Sequence, residues 1–396
     1  MKDVSQAELL TRGVEDILVK ESLEKKLASG TKLRVKLGFD PTSPNVHIGR
    51  AIPLRKLRDF QNLGHQVVFI VGDFTAQIGD ASDKLEKRPM LKLEAINKNL
   101  KTYKEQVGKI IDLKKAEFHY NSEWLSKLGF QEITELAEAF SVQQMIARRN
   151  FKGRFDNGEE ISLREFLYPL MQGYDSVMVK ADVELGGFDQ LFNLKAGRIV
   201  QKHYGMQEQD ILTCSMLEGT DGRKMSSSWG NIIAITDAPN DMYGKIMSVR
   251  DDLLIKYFLL CTDLPQVEIA KIEESIKGGA NPKDSKMRLA REIVKLYHSE
   301  KDAFSAEKNF IDTFKKGGLP TDAQEVEISK GELLADVLFQ EKVVDSKTEF
   351  SRLVKDGAIS VVETEEKIID REHKIEQSVN LRIGKRRFLK IKVKNG

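Results

Sequence analysis

Four short stretches of the chain place polar side chains beside glycines in patterns that suit chemistry. In "KLGFDPTSPNVHIGRA", residues 36–51, a short apolar strand runs into Gly38, Phe39, Asp40, Pro41 and Thr42, and a helix starts at His47, Ile48 and Gly49. Glycines at a strand-to-helix junction let a phosphate or nucleotide approach the backbone, although Gly38 alone serves a tight turn equally well. "YPLMQGYDS" spaces Tyr168, Gln172 and Asp175 at i, i+4 and i+7, so one helical face carries a phenol, an amide and a carboxylate. That stripe is either a solvated surface or the wall of a polar site, and the flanking Leu167, Pro169, Leu170 and Met171 argue against full exposure. "ELGGFDQ" sets Gly186 and Gly187 at a strand end, ahead of Asp189 and Gln190, where a carboxylate can accept ribose hydroxyls. "GRKMSSSWGN" is a polar loop carrying Lys224, Met225, Ser226 and Ser227. It reads as an ordinary Gly/Ser loop, or as a mobile clamp that holds a polyphosphate and stabilises its leaving charge.

These groups need a scaffold, and hydropathy patterning supplies one. Leu9, Leu10, Val14, Ile17, Leu18, Leu23 and Leu27 predict one amphipathic helix over residues 5–29. "KLRVKLGFD" predicts a strand, Ile48 to Leu63 a helix ending at Gly64, and "HQVVFIVGDFT" a strand buried on both faces. Strand, helix and strand make a right-handed parallel βαβ unit, whose ligand belongs at the carboxyl ends near Gly38–Asp40 and Gly72–Asp73. Further along, residues 90–111 read as helix, "AEFHYNSEW" as strand, and residues 133–171 as helix interrupted by the loop "KGRFDNGEE". "VMVKADVELGG" predicts a strand and residues 190–204 a helix. Helices dominate from 242 to about 314, one of them primed by Asn281 and Pro282. "KKGGLPTDAQEVE" has linker composition, and a small domain with strands at "AISVV" and "RRFLKIKVK" follows.

With 396 residues, two or three domains are expected. A formal charge of +2, from 63 Lys and Arg against 61 Asp and Glu, provides no global field for nucleic acid, so such a partner must meet local patches. Cys214 and Cys261 form no CxxC pair, which predicts neither a disulfide framework nor a zinc site. No apolar run approaches a membrane span or a leader peptide, and the expectation is a cytoplasmic protein with no membrane partner.

Taken in order, HIG, GD, YxxxQxxD, GGxDQ and KMSxS resemble the class I aminoacyl-tRNA synthetases. More narrowly, "YPLMQGYDS" and "DVELGGFDQLFN" resemble the bacterial tyrosyl-tRNA synthetases over nearly the whole chain. The resemblance implies an α/β architecture: a Rossmann-like parallel-sheet catalytic domain over 1–232 with a dimerisation insert around 115–170. A helical anticodon-binding domain over 233–316, a linker over 317–327 and a small α+β S4 RNA-binding domain over 328–396 would follow. The implied reaction joins L-tyrosine to ATP as tyrosyl-adenylate and moves tyrosine to tRNA(Tyr), with Mg2+ carried by ATP, no protein-bound metal and a homodimeric enzyme.

By the same resemblance, Gly38, Asp40, Thr42, His47 and Gly49 line the ATP site, with Gly187, Met225 and Ser226 beside it and Asp189 on the ribose. His47, Arg50, Lys224 and Ser227 would act in catalysis, and Lys84 and Arg88 would meet pyrophosphate. Asp80, Tyr168 and Gln172 would take the tyrosine ammonium, Gln190 would lie near the carboxylate, and Asp175 would accept the phenol. Lys36, which stands where many members have a tyrosine that reads the same hydroxyl, is counted with these tyrosine-binding residues. Arg382, Lys385, Arg386, Arg387 and Lys390 belong to a run of bases with no acid among them. Such a run is a solvated face by default, and a phosphate-binding one if the S4 likeness holds. Two residues depart from the family pattern: Arg50 replaces the second histidine of HIGH, and Ser227 the second lysine of KMSKS. They leave open a second reading, a paralogue acting as an RNA-binding or regulatory protein. A tryptophanyl enzyme fits less well, because Asp175 suits a phenol.

Overall fold

In the computed structural model, residues 5–80, 90–226, 229–315, 323–362, 364, 366–384 and 387–394 are described. They divide into one unit of residues 1–237 with 249–285 and a second of 238–248 with 286–396.

The first unit is built on a six-stranded sheet in the order β1-β6-β5-β2-β3-β4. Its strands are β1 (Val14–Leu18), β2 (Arg34–Phe39), β3 (Gln66–Val71), β4 (Glu117–Tyr120), β5 (Val183–Gly187) and β6 (Asp210–Cys214). All neighbours run parallel except β1, which is antiparallel to β6. The expected βαβ unit is present, with the helix Ile48–Asn62 between β2 and β3. Residues 67–71 are buried throughout, as a strand covered on both faces requires. From β2 the chain proceeds outward through β3 to β4, then returns on the other side at β5. The crevice at the carboxyl ends of β2 and β5 is therefore a topological switch point, where open α/β sheets bind ligands. Gly38–Asp40 and Gly186–Asp189 both fall there.

The helix Leu163–Met178 packs on Leu191–His203 because Gly173 permits a close approach. A Cβ at Gly173 would stand 2.6 Å from Val200 Cγ2 and 3.0 Å from the Ala196 carbonyl. This contact brings Tyr168, Gln172 and Asp175 beside the end of β5.

Several elements differ from the sequence reading. Residues 5–29 form not one helix but Gln6–Leu9, strand β1 and Lys20–Ala28. Gly13 takes φ +66°, which ends the first turn, and β6 then offers the backbone of residues 14–18 a ladder in place of helical bonds. The stretch 90–111 splits into Leu93–Leu100 and Tyr103–Gly108 at Thr102, whose hydroxyl accepts Gln106 Nε2, and the break turns Tyr103 into the core. Half of "KGRFDNGEE" completes the helix Arg149–Asp156, because Arg154 is held by a buried ion pair with Glu165.

The second unit ends in a small sheet ordered β7-β12-β11-β9, with β10 paired to β8. These are β7 (Gln324–Ile328), β8 (Glu332–Leu333), β9 (Ile359–Val361), β10 (Lys374–Ile375), β11 (Val379–Ile383) and β12 (Arg387–Val393). Leu334, Leu338, Phe350, Leu381 and Leu389 fill its core. Residues 324–327, expected as linker, belong to β7, which runs parallel to β12 with Ile328 turned inward. Residues 316–322 of that expected linker lie outside the described residues. The helix Pro282–Tyr297 starts as expected, with Asn281 Oδ1 accepting from the Lys283 N–H.

Candidate active site

His47 caps the helix Ile48–Asn62, and its Nδ1 accepts the Arg50 N–H at 3.3 Å. With Nδ1 an acceptor, the ring proton sits on Nε2, which can donate to a phosphate oxygen. Burial, then the cations Arg50 and Lys224, push the His47 pKa down to about 3, so the ring is neutral at physiological pH. The Arg50 guanidinium donates to the Asp40 carbonyl at 3.2 Å, the Tyr103 hydroxyl at 3.3 Å and Thr42 Oγ1 at 3.1 Å. Gly49 is tightly packed, since a Cβ there would stand 3.1 Å from His47 Nδ1 and 3.4 Å from the sulfur of buried Met225. Gly38 is exposed and meets nothing closer than the Ile70 carbonyl, 3.9 Å from a Cβ placed on it, which leaves its surface open to a ligand.

Across the switch point, Lys224 Nζ reaches the Asp189 carboxylate at 2.9 Å. Gly187 leaves room for that carboxylate, because a Cβ on it would stand 2.6 Å from Asp189 Oδ1. The loop carrying Lys224 is pinned by Asn231, a residue the sequence reading missed. Asn231 Nδ2 donates to Asp221 Oδ1 at 2.8 Å and to the Lys224 carbonyl at 3.1 Å, and its Oδ1 accepts the Ser226 N–H at 2.9 Å. Opposite Lys224, the Glu218 carbonyl accepts the Tyr257 hydroxyl at 2.6 Å. Ser227, Lys84 and Arg88 lie outside the described residues.

The third wall carries the carboxylates. Asp175 is buried and accepts from Trp124 Nε1 at 2.8 Å and from Asn121 Nδ2 at 3.3 Å. Burial pushes its pKa up to about 6, against the pull of Lys36. Asp40 is pushed further, to about 7, by burial, while Thr75 Oγ1 at 2.8 Å and the Tyr168 hydroxyl at 3.0 Å donate to it. Buried Asp80 accepts Gln190 Nε2 at 2.9 Å and Asn193 Nδ2 at 3.3 Å. Asn121 immediately follows β4, so the rule that strand ends furnish ligand residues would have found it. Trp124, Thr75 and Asn193 carry no such signal.

Lys36 behaves differently from its implied role. It is fully buried, and its ammonium donates to Glu184 at 2.9 Å, the Gln172 carbonyl at 2.9 Å and Ser176 Oγ at 2.8 Å. Three bonds use all three donors of an ammonium, so none remains for a substrate hydroxyl. Glu184 in turn accepts the Gln172 amide at 3.0 Å. The β2–β5 register, which sets Lys36 beside Glu184, makes this pair part of the floor of the site.

The arrangement thus joins a neutral imidazole N–H and two cations on one side to a set of buried carboxylates on the other. It suits a reaction that needs an anionic phosphate held near a zwitterion. Residues 28–315 match the family model "tRNA synthetases class I (W and Y)". The tyrosine–tRNA ligase of Thermotoga maritima is 45% identical over 395 residues, covering 99% of this chain and 98% of the relative. That of Desulfotalea psychrophila is 46% identical, covering 98% and 97%.

The chain belongs to the bacterial tyrosyl-tRNA synthetases of class I.

Its fold agrees with a C-terminally truncated mitochondrial tyrosyl-tRNA synthetase of Aspergillus nidulans, with TM-score 0.65, 23% identity and 78% and 93% of the two chains covered. An Archaeoglobus fulgidus tyrosyl-tRNA synthetase complexed with L-tyrosine aligns with TM-score 0.60 at 21% identity, covering 76% and 98%. The tail of this synthetase departs from a plain basic strand. Glu325 on β7 accepts from Lys390 at 2.9 Å and also pairs with Lys392, and Glu327 pairs with Lys394 at 3.6 Å. Arg387 is tied to Glu349 at 2.9 Å, and Arg382 lies half-buried on β11. Lys385 and Arg386 lie outside the described residues.

Proposed function

We propose that the chain activates L-tyrosine with ATP and transfers the tyrosyl group to tRNA(Tyr). A tyrosine carboxylate oxygen attacks the α-phosphorus, the acyl–phosphate bond forms, and the bond to pyrophosphate breaks. A ribose hydroxyl of the terminal adenosine then attacks the tyrosyl carbonyl, and AMP leaves. No protein nucleophile is needed, so positioning and charge stabilisation carry the rate. His47, Arg50 and Lys224 act on the phosphates, with Ser227, Lys84 and Arg88 beside them. Gly38, Thr42, Gly49, Gly187, Met225 and Ser226 shape the nucleotide site, and Asp40 positions Tyr168. Asp189 exchanges Lys224 for the ribose as ATP enters, and Mg2+ arrives with ATP. Asp80, Tyr168 and Gln172 receive the ammonium, Gln190 the carboxylate side and Asp175 the phenol, while Lys36 supports Glu184 beneath them.

The observation that carries this reading is near-complete coverage by relatives named tyrosine–tRNA ligase at 45–46% identity. It leaves the RNA-binding or regulatory paralogue without support. The test is tyrosine-dependent exchange of labelled pyrophosphate into ATP by the purified protein. Exchange is expected, and its absence at saturating tyrosine overturns the reading.

A homodimer is proposed for the insert around residues 115–170. Four of its apolar side chains stand well exposed: Phe130 at 87%, Leu163 at 80%, Val142 at 59% and Phe155 at 57%. Apolar groups gathered on one segment call for a covering surface. Light scattering should give twice the 44.9 kDa of the chain at micromolar concentration, and a species of 44.9 kDa would speak against dimerisation. Among the described residues no helix is long and apolar enough to cross a membrane. We assign the protein to the cytoplasm, where its substrates are.

For RNA, we assign the helices after residue 238 to the anticodon arm and the terminal small sheet to an S4-type contact. Because β7 is part of that sheet, a clean truncation ends at Lys315 rather than at residue 330. All the adenylation groups precede residue 237, so the truncated protein should keep its exchange rate. Its tRNA affinity and the salt dependence of that affinity should both fall, since phosphate contacts set the slope. A truncated protein that charges tRNA as well as the full chain refutes the assignment.

A further inference from the structure

Beside the amino-acid end of the site lies a buried cation that makes no direct ion pair among the described residues. Arg148 is 7% exposed, and its guanidinium is 4.2 Å from the centre of the Phe192 ring and 5.0 Å from that of Phe151. Among the described residues its side chain forms no ion pair, and its one hydrogen bond runs from Nη2 to Asn193 Oδ1 at 3.3 Å. Nearby Arg154, by contrast, is matched to Glu165 at 2.6 Å. Burial pulls the Arg148 pKa down and the charges of Asp80 and Glu165 pull it up, so the buried guanidinium is compensated through space and not by a direct ion pair among the described residues.

The hydrogen bond to Asn193 starts a chain. Asn193 is fully buried, and its amide could face either way on shape alone. A guanidinium has donors and no acceptor, so Oδ1 must face Arg148 and Nδ2 must face away. Nδ2 then donates to Asp80 Oδ1 at 3.3 Å and to Gln190 Oε1 at 3.1 Å. With its oxygen so engaged, Gln190 turns Nε2 to Asp80 Oδ2 at 2.9 Å. The donor-only guanidinium at one end and the acceptor-only Asp80 carboxylate at the other thus fix the polarity of the two amides together, and both ends of the Asp80 carboxylate receive donors.

We propose that Arg148 is a positioning residue for amino-acid binding: through Asn193 and Gln190 it holds Asp80 in the orientation that receives the substrate ammonium. The proposal rests on the reading of Asp80 as the ammonium acceptor. Arg148 itself touches neither tyrosine nor ATP in this scheme.

The test compares Arg148→Gln, which can donate or accept and so no longer secures Asn193 Oδ1 from its own end of the chain, with Arg148→Lys, which remains donor-only. Pyrophosphate exchange gives KM for tyrosine and for ATP, and calorimetry gives the affinity for L-tyrosinol, which keeps the ammonium and lacks the carboxylate. Arg148→Gln should raise the tyrosine KM about tenfold, the effect of one misdirected buried hydrogen bond. Tyrosinol should weaken by the same factor, the ATP KM should stay within about twofold, and Arg148→Lys should recover most of the loss. An unchanged tyrosine KM overturns the proposal. So does a loss for tyrosine without one for tyrosinol, which would mean direct contact with the carboxylate. Equal losses for tyrosine and ATP with a lowered melting temperature would reduce Arg148 to a structural part. Asp80→Asn provides the control: if it leaves tyrosinol binding intact, the reading of Asp80 fails rather than the chain from Arg148.

Discussion

Asp175→Asn is expected to lower kcat/KM for tyrosine by at least ~2 kcal/mol, about thirtyfold, because a charged acceptor for the phenol is lost. Trp124 Nε1 and Asn121 Nδ2 already donate to this carboxylate at 2.8 and 3.3 Å, and a carboxylate still has lone pairs for a third donor. An amide at position 175 has one oxygen for all three, and its NH2 must face another N–H. The pH profile adds a second reading. Burial lifts Asp175 to about 6, so below that pH the free protein carries a proton where the phenol must donate. The tyrosine KM should rise as pH falls through about 6, and the variant should lose that inflection while keeping the one from Asp40 near 7. For stability the sign is opposite to that of a salt-bridged carboxylate. The folded-state pKa lies above the ordinary 3.8, so the native protein binds more protons between about 4 and 6, and this group's contribution falls as pH rises through that window. Exchange kinetics from pH 5 to 8 check both statements, and an unchanged kcat/KM at pH 7.5 removes Asp175 from the pocket.

Arg50→His should slow single-turnover adenylate formation about a hundredfold, the effect of roughly 2–3 kcal/mol of lost transition-state charge stabilisation. The guanidinium is held by the Asp40 carbonyl, Thr42 and Tyr103 at 3.1–3.3 Å, with the Phe39 ring 5.8 Å away. It therefore presents a permanent cation beside the helix start that His47 caps. A histidine there would be mostly neutral and too short for those anchors. Ser227 supplies a hydroxyl and no charge where the family pattern has lysine. If Arg50 takes over part of that lysine's work, Ser227→Lys should help little while Arg50 is present and should rescue Arg50→His strongly. A double-mutant cycle on the single-turnover rate decides it. A coupling below about 0.5 kcal/mol leaves the two substitutions independent.

Much of the site is legible along the chain because its residues follow local rules. Gly38–Asp40 and Gly187–Gln190 end strands, His47 starts a helix, and Tyr168, Gln172 and Asp175 repeat at helical spacing; each pattern is set by backbone geometry within a few residues. The fold class follows from the same local alternation, since long apolar strands between helices bury both faces of a parallel sheet.

Other decisions belong to tertiary structure. Periodicity could not distinguish strand β1 from a helix, because the partner that supplies its hydrogen bonds, β6, lies almost two hundred residues away. Lys36 looked like a pocket residue, but the β2–β5 register places Glu184 against it and uses all its donors. The basic strand at 387–393 has no acid in its own segment, and β7 brings Glu325 and Glu327 to its lysines from a stretch with linker composition. Trp124, Arg148, Asn193 and Asn231 share this character. Hydrogen-bond polarity and charge pairing act over about 3 Å in space with no regard for separation along the chain, so only folding could reveal which acceptors those donors meet.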